Sequence, residues 1–409
     1  MKSINKKKIA VFLPSFYPLP MGGAEIQILR LAKYMQQDGI DIFFVTPHQT
    51  GLKSFELINE IPVYRFKTMV SILKRRKKQK GFRFKNQEKP IWDYSDKKGN
   101  ELIYAKSSIT FAHIIFMIDM FLSVFFFLSK RYHRFDILQI NNVTFYAVII
   151  TLVGKLLNKK IVIKDSTMDG ILQMRQTLFP SLGRYFICHN ATFIAMTHYI
   201  YENMIKAGIP KRNIYSIPNG IEVFNYNRKY HAFGYRCLFV GNLYQQPAKG
   251  IDILLKAWPI VLEKYPAATL SIVGEGNISA YRDYIIELGL EGSITLCGKC
   301  DPDIYYQTHD LFILPSRREG MSNALMEAMM YKMPVVATNI SGNQDLIKSR
   351  SGGILVEPNS VKALSEGIIT CLSLHYKFEK WGEYNYHRIR ELCNLETIVQ
   401  KYICLYNVI

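Results

Sequence analysis

Apolar positions along the chain follow two alternating patterns. Short aliphatic runs recur at residues 9–13, 42–45, 63–66, 137–140, 161–164, 193–196 and 214–217. A second series follows at residues 237–240, 270–273, 294–296, 311–314, 335–337 and 354–356. Amphipathic stretches separate them. The first carries Ala24, Ile28, Leu31, Ala32 and Met35 on one stripe, the spacing of a helix with one buried side. Short runs that are apolar throughout read as strands covered on both faces, and their alternation with helices predicts parallel sheets. The pattern restarts after Pro218, Asn219 and Gly220, and the polar, aromatic segment from Glu222 to Tyr235 reads as a linker. The expectation is an α/β chain of two doubly wound domains, residues 1–218 and 219–409, facing across a cleft.

One βαβ unit carries the densest chemistry. Residues 315–338 read PSRREGMSNALMEAMMYKMPVVAT, a polar loop and a helix between two buried strands. Open parallel sheets bind ligands at the carboxyl ends of their strands, which is where Glu319 falls. Glu327 lies on the helix. Ser322 is a helix N-cap candidate, leaving the N–H groups of Asn323, Ala324 and Leu325 aimed outward. Carboxylates that accept from hydroxyls, beside a helix end that attracts phosphate, suit a sugar attached to a nucleoside diphosphate. Lys249, followed by Gly250, lies between the 237–240 strand and a helix containing Leu254, Leu255 and Trp258. It is the best candidate cation for a departing diphosphate, with an ordinary exposed lysine as the alternative.

This stretch resembles the signature of family-4 retaining glycosyltransferases, a glutamate pair with seven residues between its members. Other landmarks of that family fall in order. They are Gly22-Gly23-Ala24-Glu25, Ile217-Pro218-Asn219-Gly220, Phe239-Val240-Gly241-Asn242-Leu243 with Lys249-Gly250, and Val273-Gly274-Glu275-Gly276. The resemblance covers nearly the whole chain apart from about residues 70 to 130. It implies the glycosyltransferase-B fold, two Rossmann-like domains with the final helix, here Glu391 to Val408, returning to the first. It implies that Glu319 contacts the donor sugar and Glu327 the ribose. The backbone around Gly320, Met321, Ser322 and Asn323 is expected to meet the sugar or its phosphate. Gly298 and Lys299 should lie along the base, and Gly22 and Gly23 should allow close approach from the first domain. The implied reaction is transfer with retention from a nucleoside diphosphate-sugar, UDP rather than GDP. The sugar nucleotide is a substrate, and no metal or other cofactor is expected.

Two positions depart from the family's pattern. Asn242 stands where an arginine is usual, and it brings no charge; Arg317 or Arg318 is a candidate to compensate. Asp165 stands where many relatives have a histidine. It is a candidate to orient an acceptor hydroxyl or take its proton, with a turn or cap role as the alternative, and Asp169 lies nearby. His198 follows the 193–196 strand with a weaker claim to function. Asp301 and Asp303 mimic a metal-binding DxD but read as a loop turn.

Charge adds a partner. Lys and Arg number 52 against 33 Asp and Glu, a formal net charge of +19, which points to an anionic partner. From Lys74 to Lys89 the basic residues are opposed only by Glu88, and an anionic membrane surface fits this segment better than nucleic acid does, with a solvated disordered loop as the alternative. Ile109 to Leu128 is almost wholly apolar but interrupted by His113 and Asp119. It reads as a helix packed on the first sheet, as one dipping into a bilayer interface, or as a span. Seven scattered cysteines suggest reduced thiols, and Cys297 and Cys300 form a lone CxxC without zinc or redox context. Lys6 to Lys8 precede an apolar run too short for a signal sequence. The acceptor is therefore expected to be a membrane-associated or polyprenyl-diphosphate-linked glycan of bacterial surface polysaccharide synthesis. The protein would then be cytoplasmic and peripheral at the inner face of the cytoplasmic membrane. Two rival readings stay open: a nucleotide-sugar epimerase of the same fold, and a non-catalytic nucleotide-sugar-binding subunit.

Overall fold

A computed structural model of the chain describes residues 7–18, 22–49, 51–69, 111–172, 180–228, 234–244 and 247–409. The basic segment from Lys74 to Lys89 lies outside them. The described chain forms two compact units, one ending its first passage at Gly220 and regaining the chain at Leu395, the other running from Ile221 to Asn394.

The first unit is built on an eight-stranded sheet. Its strands are β1 (Lys8–Phe12), β2 (Asp41–Pro47), β3 (Phe55–Ile58), β4 (Ile61–Phe66), β5 (Ile137–Asn141), β6 (Lys160–Asp165), β7 (Thr192–Ala195) and β8 (Ile214–Ser216), in the order β3-β4-β2-β1-β5-β6-β7-β8. All pair in parallel except β3, which forms an antiparallel hairpin with β4. The sequence pattern does not show β3. Its turn is Asn59-Glu60, both at positive φ, in place of the Asn-Gly that usually marks such hairpins. The helices are α1 (Gly23–Gln37), α2 (Phe111–Ser129), α3 (Phe145–Leu156), α4 (Pro180–Asn190) and α5 (His198–Lys206).

Along α2, Met120, Val124 and Leu128 are buried, whereas Ile115, Ile118, Leu122 and Phe126 are exposed. Asp119 sits on the buried side and accepts from the Met69 N–H at 2.7 Å. Among the described residues no helix is long and apolar enough to cross a membrane.

The second unit has a six-stranded, all-parallel sheet of β9 (Arg236–Val240), β10 (Thr269–Val273), β11 (Ile294–Gly298), β12 (Leu311–Leu314), β13 (Val335–Thr338) and β14 (Gly353–Val356). Its order is β11-β10-β9-β12-β13-β14. The strand sequence therefore departs in opposite directions from the neighbours β9 and β12, which makes that pair the topological switch point. Its helices are α6 (Ile251–Lys264), α7 (Ile278–Glu287), α8 (Asp303–Thr308), α9 (Asn323–Met330), α10 (Ser341–Leu346), α11 (Val361–Ser373) and α12 (Phe378–Cys393). The fully buried Trp258 shares one core with Cys237, Leu270 and Leu372. Within the segment expected to be a linker, Arg228 is buried against the second unit. The buried Arg228 guanidinium donates to the carbonyls of Tyr306 and Tyr331 at 2.9 Å, and also to that of His309.

The last helix, α13 (Leu395–Val408), belongs to the first unit. Its buried stripe of Leu395, Ile398, Val399, Tyr402, Leu405 and Tyr406 packs in one core with Ile28 and Leu31 of α1 and with Ile9 and Val11 of β1.

Candidate active site

Lys249 follows β9 and Glu319 follows β12, so the switch point of the second unit holds both. Their side chains meet, Nζ to Oε1, at 2.5 Å. The backbone brings them together. The Arg317 N–H donates to the Ala248 carbonyl at 2.7 Å, tying the two loops one residue before Lys249 and two before Glu319. Gly250 turns the chain into α6 at φ +66°, and a Cβ there would lie 2.0 Å from the Pro315 carbonyl oxygen. Only glycine meets both demands.

Glu319 Oε1 accepts a second hydrogen bond, from the fully buried Ser316 hydroxyl at 2.9 Å. The Ser316 carbonyl in turn accepts from the Thr338 hydroxyl at 2.5 Å. The carboxylate is thus aimed by the end of β12 and steadied by the end of β13. Its side chain is 10% exposed, so it sits at the site's floor with an oxygen not engaged by Lys249.

Arg317 does not compensate for Asn242. Its guanidinium grips Asp252 through two hydrogen bonds of 2.7 Å and donates to Asn359 Oδ1 at 2.8 Å. A bidentate pair of this kind braces a loop and is not available to a phosphate. Asn242 itself uses Oδ1 to accept from the Tyr244 N–H at 2.8 Å.

Helix α9 opens beside Glu319. Ser322 is its N-cap, in extended conformation, as its position suggested. The hydroxyl takes the Leu325 N–H at 3.4 Å, so that amide does not face outward as the sequence led us to expect. The backbone here is close-packed. A Cβ on Gly342, at the start of α10, would lie 1.9 Å from the Gly320 carbonyl oxygen, so Gly320 and Met321 rest on α10. Glu327 sits one turn into α9 and accepts from the Tyr306 hydroxyl at 3.1 Å. Tyr306 is completely buried, and burial, reinforced by Glu327, holds its phenol well above the usual range, so it stays a donor. Gly298 ends β11 at φ +69°, and the exposed Lys299 pairs with Glu275 at 2.8 Å, an ion pair that lowers the Glu275 carboxyl.

The second unit therefore brings Lys249, Glu319, Gly320, Met321, Ser322 and Asn323 together, with Glu327 one turn deeper. Sequence reasoning missed Ser316, Asp252 and Tyr306. Ser316 stands next to a residue it did single out, but Tyr306 reaches Glu327 across 21 positions and leaves no local signal.

In the first unit, Gly22 is the N-cap of α1 and its N–H donates to Glu25 Oε2 at 2.9 Å. Asp165 is 1% exposed, and both its oxygens serve its own loop. Oδ1 accepts from the Thr167 amide and hydroxyl at 3.1 and 2.8 Å, and Oδ2 from the Ile171 amide at 3.2 Å. Burial pushes its carboxyl up to about 6. Three hydrogen bonds from its own loop give Asp165 the turn role that the sequence offered as the alternative to a base. Asp169 accepts from the Tyr199 hydroxyl at 3.1 Å. The neighbour Lys164, which the sequence does not single out, is buried and donates to Asn219 Oδ1 at 2.9 Å, and burial depresses its ammonium to about 7. His198 is the exposed first residue of α5. Asp301 accepts from the Asp303 amide at 3.1 Å, which makes that pair a turn. Among the described residues no cluster of three His, Cys, Asp or Glu is arranged to hold a metal ion.

Comparison with known proteins now bears on this arrangement. Residues 234–373 match the family model described as glycosyl transferases group 1. An uncharacterized glycosyltransferase of Haemophilus influenzae is 29% identical over 194 residues, 47% of this chain and 54% of that protein. The poly(ribitol-phosphate) alpha-N-acetylglucosaminyltransferase of Staphylococcus aureus is 27% identical over 199 residues, 48% of this chain and 40% of that protein. The chain thus spans about half the length of these curated relatives. The crystal structure of Anabaena HepE in complex with UDP and glucose superposes with a TM-score of 0.72 at 17% identity, covering 98% of this chain and 100% of that one.

Proposed function

We propose, on the premise that residues 234–373 are a group 1 glycosyltransferase domain in a chain of glycosyltransferase-B fold, that this protein is a retaining glycosyltransferase. It moves a hexose or amino-sugar unit from a nucleoside diphosphate-sugar, UDP in preference to GDP, to a membrane-associated or lipid-linked glycan in bacterial surface polysaccharide synthesis. The observation that carries this reading is the Lys249–Glu319 pair, 2.5 Å apart at the sheet's switch point and beside the N-terminus of α9.

Each group has a task in that reaction. Cleaving the anomeric C–O bond puts negative charge on the departing diphosphate. The Lys249 ammonium, held in a half-buried site, meets that charge where screening by water is weak. The first turn of α9 adds aligned peptide dipoles on the same side. Glu319 accepts from a hydroxyl of the donor sugar, and Glu327, kept in place by Tyr306, from the ribose diol. The acceptor oxygen bonds to the anomeric carbon from the face that the diphosphate leaves, and its proton passes to a phosphate oxygen. With a protein cation supplying the charge, the reading calls for no divalent metal and no cofactor.

The acceptor assignment draws on the net charge of +19, on the segment from Lys74 to Lys89, and on the poly(ribitol-phosphate) named for the Staphylococcus aureus relative. It places the protein at the inner face of the cytoplasmic membrane.

A panel of UDP- and GDP-sugars scored by thermal shift, followed by radiolabel transfer to lipid-linked glycan acceptors, tests the proposal. A UDP-hexose should raise the melting temperature by mass action and be transferred with its anomeric configuration kept. Stabilisation by GDP-sugars alone would reassign the donor. Isomerisation of the sugar without any acceptor would make the protein an epimerase, and binding without turnover across the acceptor panel would make it a binding subunit.

A further inference from the structure

Three adjacent helices of the first unit share an unusual outer face. Helix α3 packs against both α2 and α4, and it lies on β5 and β6. A Cβ on Gly154 of α3 would lie 2.1 Å from Ile161 of β6, so that side of α3 is pressed to the sheet. Leu152 and Leu156, two positions either way, stand on the opposite side and are exposed. On α2 the exposed residues Ile118, Leu122 and Phe126 repeat at spacings of four, one stripe of a helix. On α4, Tyr185 is 62% exposed. Scattered exposed apolar residues are ordinary on a soluble protein, but a stripe on α2 continued by exposed apolar side chains on two contiguous helices is not.

The charged residues that the three helices themselves expose are basic, and Asp136, in the loop after α2, is the carboxylate near Lys159. The only carboxylate on the three helices, Asp119, is 5% exposed and bound to the Met69 amide. At the C-terminal ends of α2 and α3 stand Lys130, Arg131, Lys155 and Lys159. Lys159 donates to the Tyr132 carbonyl at 2.7 Å and lies 3.7 Å from the centre of its ring, and Arg131 stacks 3.8 Å over Phe127. Cations seated beside aromatic rings, at the rim of an apolar face, match the boundary between acyl chains and anionic headgroups.

We propose that the outer face of α2, α3 and α4 seats the protein on an anionic lipid bilayer, with Phe126 and Leu156 entering the acyl boundary and Lys130, Lys155 and Lys159 meeting the phosphates. The charge decides for a bilayer over a second copy of the chain, because two copies apposed through this face would bring like charges together. The inference names a surface, requires nothing of the donor site, and would stand with any transfer chemistry.

Flotation of the full chain with phosphatidylcholine–phosphatidylglycerol vesicles tests it. Wild type should bind, and should bind weakly to phosphatidylcholine alone. The triple variant Ile118→Ser, Phe126→Ser, Leu156→Ser should lose at least about tenfold in partition, since it removes three apolar side chains from the face buried in the bilayer. The matched control Ile286→Ser, Ile304→Ser, which alters exposed residues of the second unit, should bind as wild type does. Leu156→Trp, which keeps the face apolar, should show a blue-shifted emission component when anionic vesicles are added. Unchanged binding by the triple variant would overturn the proposal, as would an unshifted tryptophan. A wild-type dimer in light scattering that the triple variant dissolves, without vesicle binding, would assign the face to self-association instead.

Discussion

At the scale of single residues the site is a chain of dependencies that ends on one carboxylate. Glu319 Oε1 receives Lys249 and Ser316 together, so the two can be separated by what each removes. On the proposed mechanism, Lys249→Ala deletes the cation that would meet the leaving diphosphate. It should lower kcat by about 10²–10³, the usual cost of one charge-stabilising group, with a smaller change in the affinity for UDP. Turnover within a factor of two of wild type would remove Lys249 from the mechanism. Ser316→Ala leaves the charge and loosens only the aim. It should cost about tenfold in kcat and about 1 kcal/mol of stability, read from initial rates and a urea melt. A rate loss as large as that of Lys249→Ala would mean that the hydroxyl touches substrate.

Lys164 gives a test independent of turnover. Its ammonium is depressed to about 7, so its favourable contribution is fully present only above the unfolded value near 10.5. That contribution is lost as pH falls through about 7. The full window corresponds to about 5 kcal/mol. Wild type should therefore gain stability between pH 7 and 10 relative to Lys164→Met, which cannot charge. Parallel melting curves for the two across that range would show that Lys164 is solvated as an ordinary lysine.

At the scale of elements, the sheet strands were legible because nearly all are short apolar runs bounded by turns. Strand β3 was not, because its residues alternate between exposed and half-buried, and its turn achieves positive φ with Asn59 and Glu60. The N-terminal end of α9 was legible for a local reason: Ser322, three residues before the Leu325 amide it caps, is a spacing that sequence carries. The Arg317–Asp252 clamp was not, because the partners lie 65 positions apart and only the switch point of the sheet makes them neighbours. The same long-range closure makes Gly250 the element-scale test. Gly250→Ala places a Cβ 2.0 Å from the Pro315 carbonyl at φ +66°. The strain and the clash together should cost about 2–4 kcal/mol, and they should part Ala248 from Arg317, so that activity falls with stability. Gly292→Ala, at a position where a Cβ meets nothing within 4 Å, should be silent in both assays. Wild-type activity in the Gly250 variant would show that the two loops need not be tied.

For the molecule as a whole, the chain leaves the first unit at Gly220 and returns at Leu395, so the stability of that unit depends on its last fifteen residues. Helix α13 supplies six apolar side chains to the first unit's core, none more than 2% exposed. At about 1.5–3 kcal/mol each, their burial is worth on the order of 10 kcal/mol, comparable with the entire stability of a domain. The Tyr406 hydroxyl also donates to Gln139 Oε1 at 2.5 Å, closing a buried polar group at the centre of the sheet. The second unit loses nothing by a truncation after Asn394, because its own last helix, α12, ends at Cys393 and its core is complete with Trp381 and Phe378. A chain ending at Asn394 should therefore lose the cooperative unfolding transition of the first unit while the second still melts as a unit. That remaining transition should move upward with UDP, since every residue of the proposed donor site lies between Asn242 and Glu327. Calorimetry with and without UDP reads both consequences at once. Two intact transitions in the truncated chain would mean that α13 is dispensable to the first core. A single transition that no nucleotide shifts would mean that the second unit does not hold the donor alone.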